Sequence, residues 1–230
     1  MASKNVVHPY YPRDLKLPGY VPNDKSPGEI LGLFGASLAL PMLTLWVYSG
    51  TIAHLKGRYV TRTKICWFLM CGLIHCVVEG YFSVYHRTLA SHQSFFGQMW
   101  KEYAKGDSRY LTSDTFTVCM EGITCYVDGP LAFLAAYAFI RNRPYRHLVQ
   151  IVLSLCQMYG DVLYFLTEVK EGFVHGEMWH PLYFWFYFVF MNSLWIVIPL
   201  LCIVESCQHL NTAQQCKDAK FSAGRHKKMK

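Results

Sequence analysis

Apolar and polar positions along this chain are sorted into long blocks. Five apolar runs, Ile30 to Tyr48, Cys66 to Tyr85, Thr115 to Ile140, Leu148 to Thr167 and Pro181 to Val204, are near or above the ~20 residues a helix needs to cross a hydrocarbon core, and charged residues collect between them. A soluble helical bundle would need an unusually apolar surface to use five such runs. The pattern therefore predicts an all-α membrane protein, divided into an N-terminal arm (1–29), a five-transmembrane-helix bundle (30–204) and a basic tail (205–230). Pro9, Pro12, Pro18, Pro22 and Pro27 keep the arm from being a continuous helix, because each removes a backbone donor and restricts the residue before it. In the first run, Gly32, Gly35 and Ala36 suggest close helix contact and Pro41 a kink.

Polar exceptions inside the runs fall on helical faces. His75 and Glu79 are four residues apart, so they project from one side of their helix, with Phe82 and His86 extending the stripe. Thr117, Glu121, Thr124 and Asp128 share a sector of the third run, and Gly129-Pro130 after them predicts a polar kink. Gln157, Asp161, Tyr164 and Glu168 share a face of the fourth, where Asp161 either lines a cavity or is held by a tyrosine. Trp185, Phe188, Asn192, Trp195 and Pro199 form a stripe in the fifth. Ionisable groups at this depth are costly and face a protein interior or cavity, so an intramembrane ligand cavity is expected. The connection from His86 to Asp114 repeats Phe95, Phe96, Met99, Trp100 and Tyr103 at helical spacing. It reads either as a cap over that cavity or as an interfacial anchor.

Charge adds sidedness. None of the 22 Lys and Arg falls inside a run. Thirteen lie on the side of the first and third loops and the tail and nine on the other, so the positive-inside tendency predicts a lumenal N-terminus and a cytosolic C-terminus. The ending Lys227-Lys228-Met229-Lys230 looks like a dilysine retrieval signal of endoplasmic reticulum membrane proteins, or else a basic tail drawn to anionic lipid. No basic start followed by a short apolar core and cleavage site is present, so no cleaved signal peptide is expected. The net charge of +7 is accounted for by this sidedness, and without a basic-aromatic pattern no nucleic-acid partner is expected. Seven of nine cysteines sit in the runs and read as packing thiols. With no metal-ligand spacing, no metal is expected.

His75, Glu79, Glu121, Asn192 and Trp195, with no phosphate loop or activated nucleophile, suggest proton transfer on an apolar substrate. Protonating an alkene makes a carbocation. An apolar cavity keeps water from it, and fixed carboxylates and an indole face stabilise it, the indole by ~2 kcal/mol. The residues alone lead to a lipid isomerase or a lipid-binding protein.

Longer stretches then carry a resemblance. Trp100 to Tyr110 (WKEYAKGDSRY), Phe116 to Glu121 (FTVCME), Tyr159 to Glu168 (YGDVLYFLTE) and His180 to Asn192 (HPLYFWFYFVFMN) closely resemble the emopamil-binding protein family of the EXPERA superfamily. The resemblance implies an endoplasmic reticulum sterol Δ8 to Δ7 isomerase of cholesterol synthesis that needs no cofactor. It implies that His75, Glu79 and Glu121 handle protons, that Asn192 orients a carboxylate or histidine, that Trp195 shields the cation, and that Thr124, Tyr110 and Trp195 contact substrate. It also implies binding of cationic amphiphilic amines, and a homodimer or sterol-enzyme complex as further assembly. A non-catalytic sterol- or amine-binding protein of the sigma-2 receptor type is the alternative. Asp128 departs from the family pattern and would alter ligand preference if it faced the cavity.

Overall fold

The computed structural model describes residues 7–228, with side chains through residue 223, so the side chains of the terminal lysine cluster lie outside the described residues. Among the described residues there is no strand. Five helices are long and apolar enough to span a membrane: α1 (Pro27–Thr51), α2 (Tyr59–Tyr85), α4 (Thr115–Ile140), α5 (Arg146–Glu171) and α6 (Pro181–Ala223). A shorter helix, α3 (Phe95–Tyr103), lies in the α2–α4 connection. The expected all-helical, five-span architecture holds.

Local signals set most helix starts. Ser26 and Glu29 form a reciprocal capping box at α1, with Pro27 in its first turn. Ser94 caps α3, and the Asp114 carboxylate accepts from the Thr117 amide and hydroxyl at α4, both at 2.9 Å. At α6 the His180 ring takes the same role, accepting from the amides of Leu182 and Tyr183.

The connection between α2 and α4 packs into one end of the bundle and closes it. Trp100, Lys101, Glu102, Asp107, Arg109 and Tyr110 are all buried. Arg109 bonds both Asp107 oxygens at 2.7–3.1 Å and Thr167 Oγ1 at 2.8 Å, which ties the cap to α5. The N-terminal arm straps the cap from outside: Tyr10 donates to the Lys101 carbonyl, Ser108 to the Tyr11 carbonyl, and Lys101 Nζ to the Val21 carbonyl. This is a cap and not a surface anchor.

Two expectations about the outer helices change. In α1, a Cβ added at Gly32 or Gly35 would meet nothing within 4 Å. The helix packs through Ile30 and Phe34 instead, leaving Leu33, Leu40 and Leu43 facing outward, so its small residues serve no close helix contact. In α6, the helix does not end with the apolar run at Val204; its α-helical part is Asn192–Lys228. Glu205 pairs with Lys64 of α2 and accepts from Gln150 of α5 at 2.9 Å, and Ser206 bonds His147 at 3.2 Å. The start of the basic segment is thus packed against the end of the bundle opposite the cap.

Candidate active site

Beneath the cap, residues from all five spans and α3 surround a mostly apolar cavity. His75, Glu79, Tyr110, Glu121, Thr124, Asn192 and Trp195, the seven residues expected at the site, all line it.

His75 is held on both ring nitrogens. Nδ1 lies 2.7 Å from Glu79 Oε2, and Nε2 lies 2.9 Å from Gln157 Nε2 of α5. The backbone here does not follow a plain α-helix: Ile74–Glu79 widens to i→i+5 hydrogen bonding. Facing it, Thr124–Asp128 of α4 widens in the same way, immediately before Gly129-Pro130. The expected polar kink therefore takes the form of a wide turn. Pro130 supplies no amide, and the carbonyl of Cys125 faces the Cys76 thiol at 3.8 Å. Gly129 brings the two wide turns together, because a Cβ there would lie 2.3 Å from Cys76 Sγ, 3.1 Å from the Cys76 amide nitrogen and 3.3 Å from His75 Cβ. The glycine is what lets α4 approach the His75 backbone.

Glu121, 5% exposed, accepts a 2.6 Å hydrogen bond from the Tyr110 hydroxyl. Thr124 donates to the Glu121 carbonyl at 2.9 Å and reaches its carboxylate only at 3.4 Å. Tyr110 is fixed by stacking on Trp100 (4.7 Å between centroids) and by an edge contact with Phe82 (5.1 Å). Burial, with the Glu121 carboxylate beside it, raises the Tyr110 phenol far above its ordinary pKa, so it remains a donor. The Trp195 ring lies 6.2 Å from His75 and 5.4 Å from Trp67, and its indole nitrogen has no partner. The acid-base pair, the second carboxylate and the indole are thereby grouped around one space, an arrangement suited to giving and taking a proton while sheltering a cation.

Asn192 does not play its expected part. Its amide donates to the Phe188 carbonyl at 2.7 Å, and its oxygen accepts from Tyr103 OH at 3.1 Å, so it orients neither a carboxylate nor a histidine. The reason is local: residues Pro181–Met191 of α6 also form a wide helix, and Asn192 serves a carbonyl in its last turn.

Asp128 is buried but is not among the cavity-lining residues, so the condition for it to alter ligand preference, that it face the cavity, is not met. Asp161 lines the cavity and forms no bond to a tyrosine; one carboxylate oxygen is sealed without a partner. Gln157 was not anticipated as a site residue. Its place on the Asp161 stripe was visible, but its contact with His75 bridges 82 positions of sequence.

Outside the cavity, Asp107, Glu168 and His175 present ligand atoms within 4.8 Å of one another. Arg109 already supplies cationic charge there, bonding Asp107 and lying 3.4 Å from Glu168. His175 completes the group at 2.8 Å from Glu168, and this bond raises the His175 pKa. The set closes on itself as an ion-pair network.

Comparison with known proteins places these features in context. Residues 95–206 match the family model EXPERA (EXPanded EBP superfamily). The chain is 49% identical over 215 residues to the 3-beta-hydroxysteroid-Delta(8),Delta(7)-isomerase of Rattus norvegicus, and equally so to that of Mus musculus, each match covering 93% of both chains. It is 39% identical over 216 residues to the probable 3-beta-hydroxysteroid-Delta(8),Delta(7)-isomerase of Oryza sativa subsp. japonica, covering 93% of this chain and 96% of that one.

Proposed function

We propose that this chain, which belongs to the EXPERA (EXPanded EBP) superfamily, is a sterol Δ8 to Δ7 isomerase of cholesterol biosynthesis. The observation that carries the reading is the grouping of the His75–Glu79 pair, the Tyr110-bound Glu121 and the Trp195 ring around one membrane-embedded cavity. A proton from the set His75, Glu79 and Glu121 adds to C9 of the 8,9-alkene and leaves a cation at C8. Loss of a proton from C7 to the same set forms the 7,8-alkene, with no net change in protons or electrons. Trp195 shields the cation, the closed cap excludes water, Tyr110 holds Glu121, and Tyr110 and Thr124 contact the sterol.

In this reading a protonated amphiphilic amine binds as a mimic of the cation. The protein is multi-pass by its five apolar helices; the dilysine-like ending and the family resemblance favour the endoplasmic reticulum, and the Lys/Arg sidedness favours a lumenal 1–29 arm and cytosolic residues 205–230. A homodimer or a sterol-enzyme complex is the remaining expectation about assembly.

The test is conversion of a Δ8 sterol by purified protein in detergent containing deuterated water. One solvent deuteron should enter at C9, and His75→Ala or Glu121→Gln should abolish turnover. Binding of sterol or amine without turnover would favour the non-catalytic binding alternative, and turnover insensitive to both substitutions would overturn the residue assignment.

A further inference from the structure

Asp161 is a carboxylate that the proposed proton chemistry does not use. It lines the cavity from α5, is 8% exposed, and has one oxygen sealed without a hydrogen-bond partner. No cation compensates it among the described residues. The cap's charged groups pair elsewhere, Arg109 with Asp107 and Lys105 with Glu102. A carboxyl group left alone at this depth is costly, and buried polar groups are generally partnered. Its surroundings therefore indicate a partner that arrives with a ligand.

Position narrows what that partner is. Asp161 is one helical turn from Gln157, ~6 Å along the axis toward the cap, and Gln157 touches His75. On the reading above, the reacting alkene lies at the His75 level, and a group bound at Asp161 sits about one fused ring away from it. The relatives are named for 3-hydroxysteroids, and in such a molecule the hydroxyl is separated from a ring-B alkene by about that span. A hydroxyl is neutral, loses little on leaving water compared with an ammonium, and offers the O–H that a carboxyl oxygen accepts.

We propose that Asp161 is the anchor for the substrate's 3-hydroxyl group, fixing the sterol's depth so that ring B meets His75, Glu79 and Glu121. This rests on the cavity being a sterol site, and the test separates the two ideas. Binding of a 3β-hydroxy-Δ8 sterol and of its 3-deoxy counterpart is measured on purified protein by quenching of tryptophan fluorescence. The unmodified protein should bind the hydroxysterol about tenfold more tightly, or ~1.4 kcal/mol. Asp161→Leu should lose that preference by weakening the hydroxysterol alone, and Asp161→Asn, which keeps an acceptor, should retain most of it. In turnover, Asp161→Leu should raise KM for the hydroxysterol and act far less on kcat.

Equal weakening of both sterols by Asp161→Leu, or a preference that survives it, would overturn the proposal. So would the absence of any preference in the unmodified protein, a result that needs no variant to fold. If neither sterol is turned over, the isomerase reading fails while the binding comparison still decides the anchor.

Discussion

Replacing Tyr110 by Phe isolates the hydroxyl that the cap presents to the cavity. Phe retains the ring that stacks on Trp100 at 4.7 Å and meets Phe82 at 5.1 Å, so packing changes little. What is lost is the 2.6 Å hydrogen bond to Glu121. Nothing nearby replaces it, because Thr124 is already engaged with the Glu121 carbonyl and reaches the carboxylate only at 3.4 Å. A hydrogen bond to a charged group contributes ~1.5–3 kcal/mol. If ~2 kcal/mol of this is expressed in the transition state, kcat/KM for Δ8 sterol conversion falls roughly 30-fold. Thermal unfolding in detergent provides the partner measurement. Tyr110→Phe should destabilise the unmodified protein, and in a Glu121→Met background it should cost less than ~0.5 kcal/mol, since the acceptor is gone. Additive effects of the two substitutions, or full activity of Tyr110→Phe, would refute the claim that the cap controls Glu121.

Two further perturbations follow from the packing and from the network outside the membrane. Gly129→Ala places a methyl group against the Cys76 amide nitrogen, which is backbone and cannot swing aside; the overpacking should cost ~1–3 kcal/mol and lower kcat by roughly 10- to 100-fold through displacement of His75. Gly32→Ala, in open space, should be near neutral, and melting with turnover assays of both variants checks the contrast. Because the folded-state pKa of His175 is raised by Glu168, its stabilising effect is present in full below about pH 6.5 and is lost as pH rises through the folded value. The difference in melting temperature between the unmodified protein and His175→Gln should therefore be widest below about pH 6.5 and narrow as pH rises above it. A gap that grew with pH would contradict the pairing.

Much of this architecture was legible because hydrocarbon imposes a coarse rule: apolar runs long enough to span it, with ionisable exceptions turned inward. Even so, the helices overrun the apolar segments. α2 begins at Tyr59, seven residues before Cys66, because Arg62 stacks on Trp46 at 4.2 Å and Lys64 pairs with Glu205, so neither charge ends the helix. The site's titratable residues were found from their cost at that depth. Gln157 was missed because a neutral amide announces no such cost, and its importance appears only with the His75 ring 2.9 Å away. The contact assigned to Gly32 and Gly35 failed for a related reason, since small residues permit an approach without specifying a partner.

What sequence periodicity could not reveal is that the site is assembled on three stretches of widened helix, Ile74–Glu79, Thr124–Asp128 and Pro181–Met191. A departure from 3.6 residues per turn is too small to see over five to eleven positions, yet it changes which backbone groups are bonded within the helix. In each stretch a side chain faces a backbone carbonyl. The Trp100 indole of the cap donates to Val78 at 2.9 Å, the Cys76 thiol faces the carbonyl of Cys125 at 3.8 Å, and the Asn192 amide donates to Phe188 at 2.7 Å. Two of the donors are set by the cap: Trp100 belongs to it, and Asn192 accepts from its Tyr103. Wide turns recur at functional sites because they displace side chains from ordinary helical register, and here the same contacts that seat the cap hold two of those turns in place. Closing the cavity and shaping the His75–Glu79 wall are thus one structural event, which explains why residues of an extramembrane connection belong to the site as fully as those of the spans.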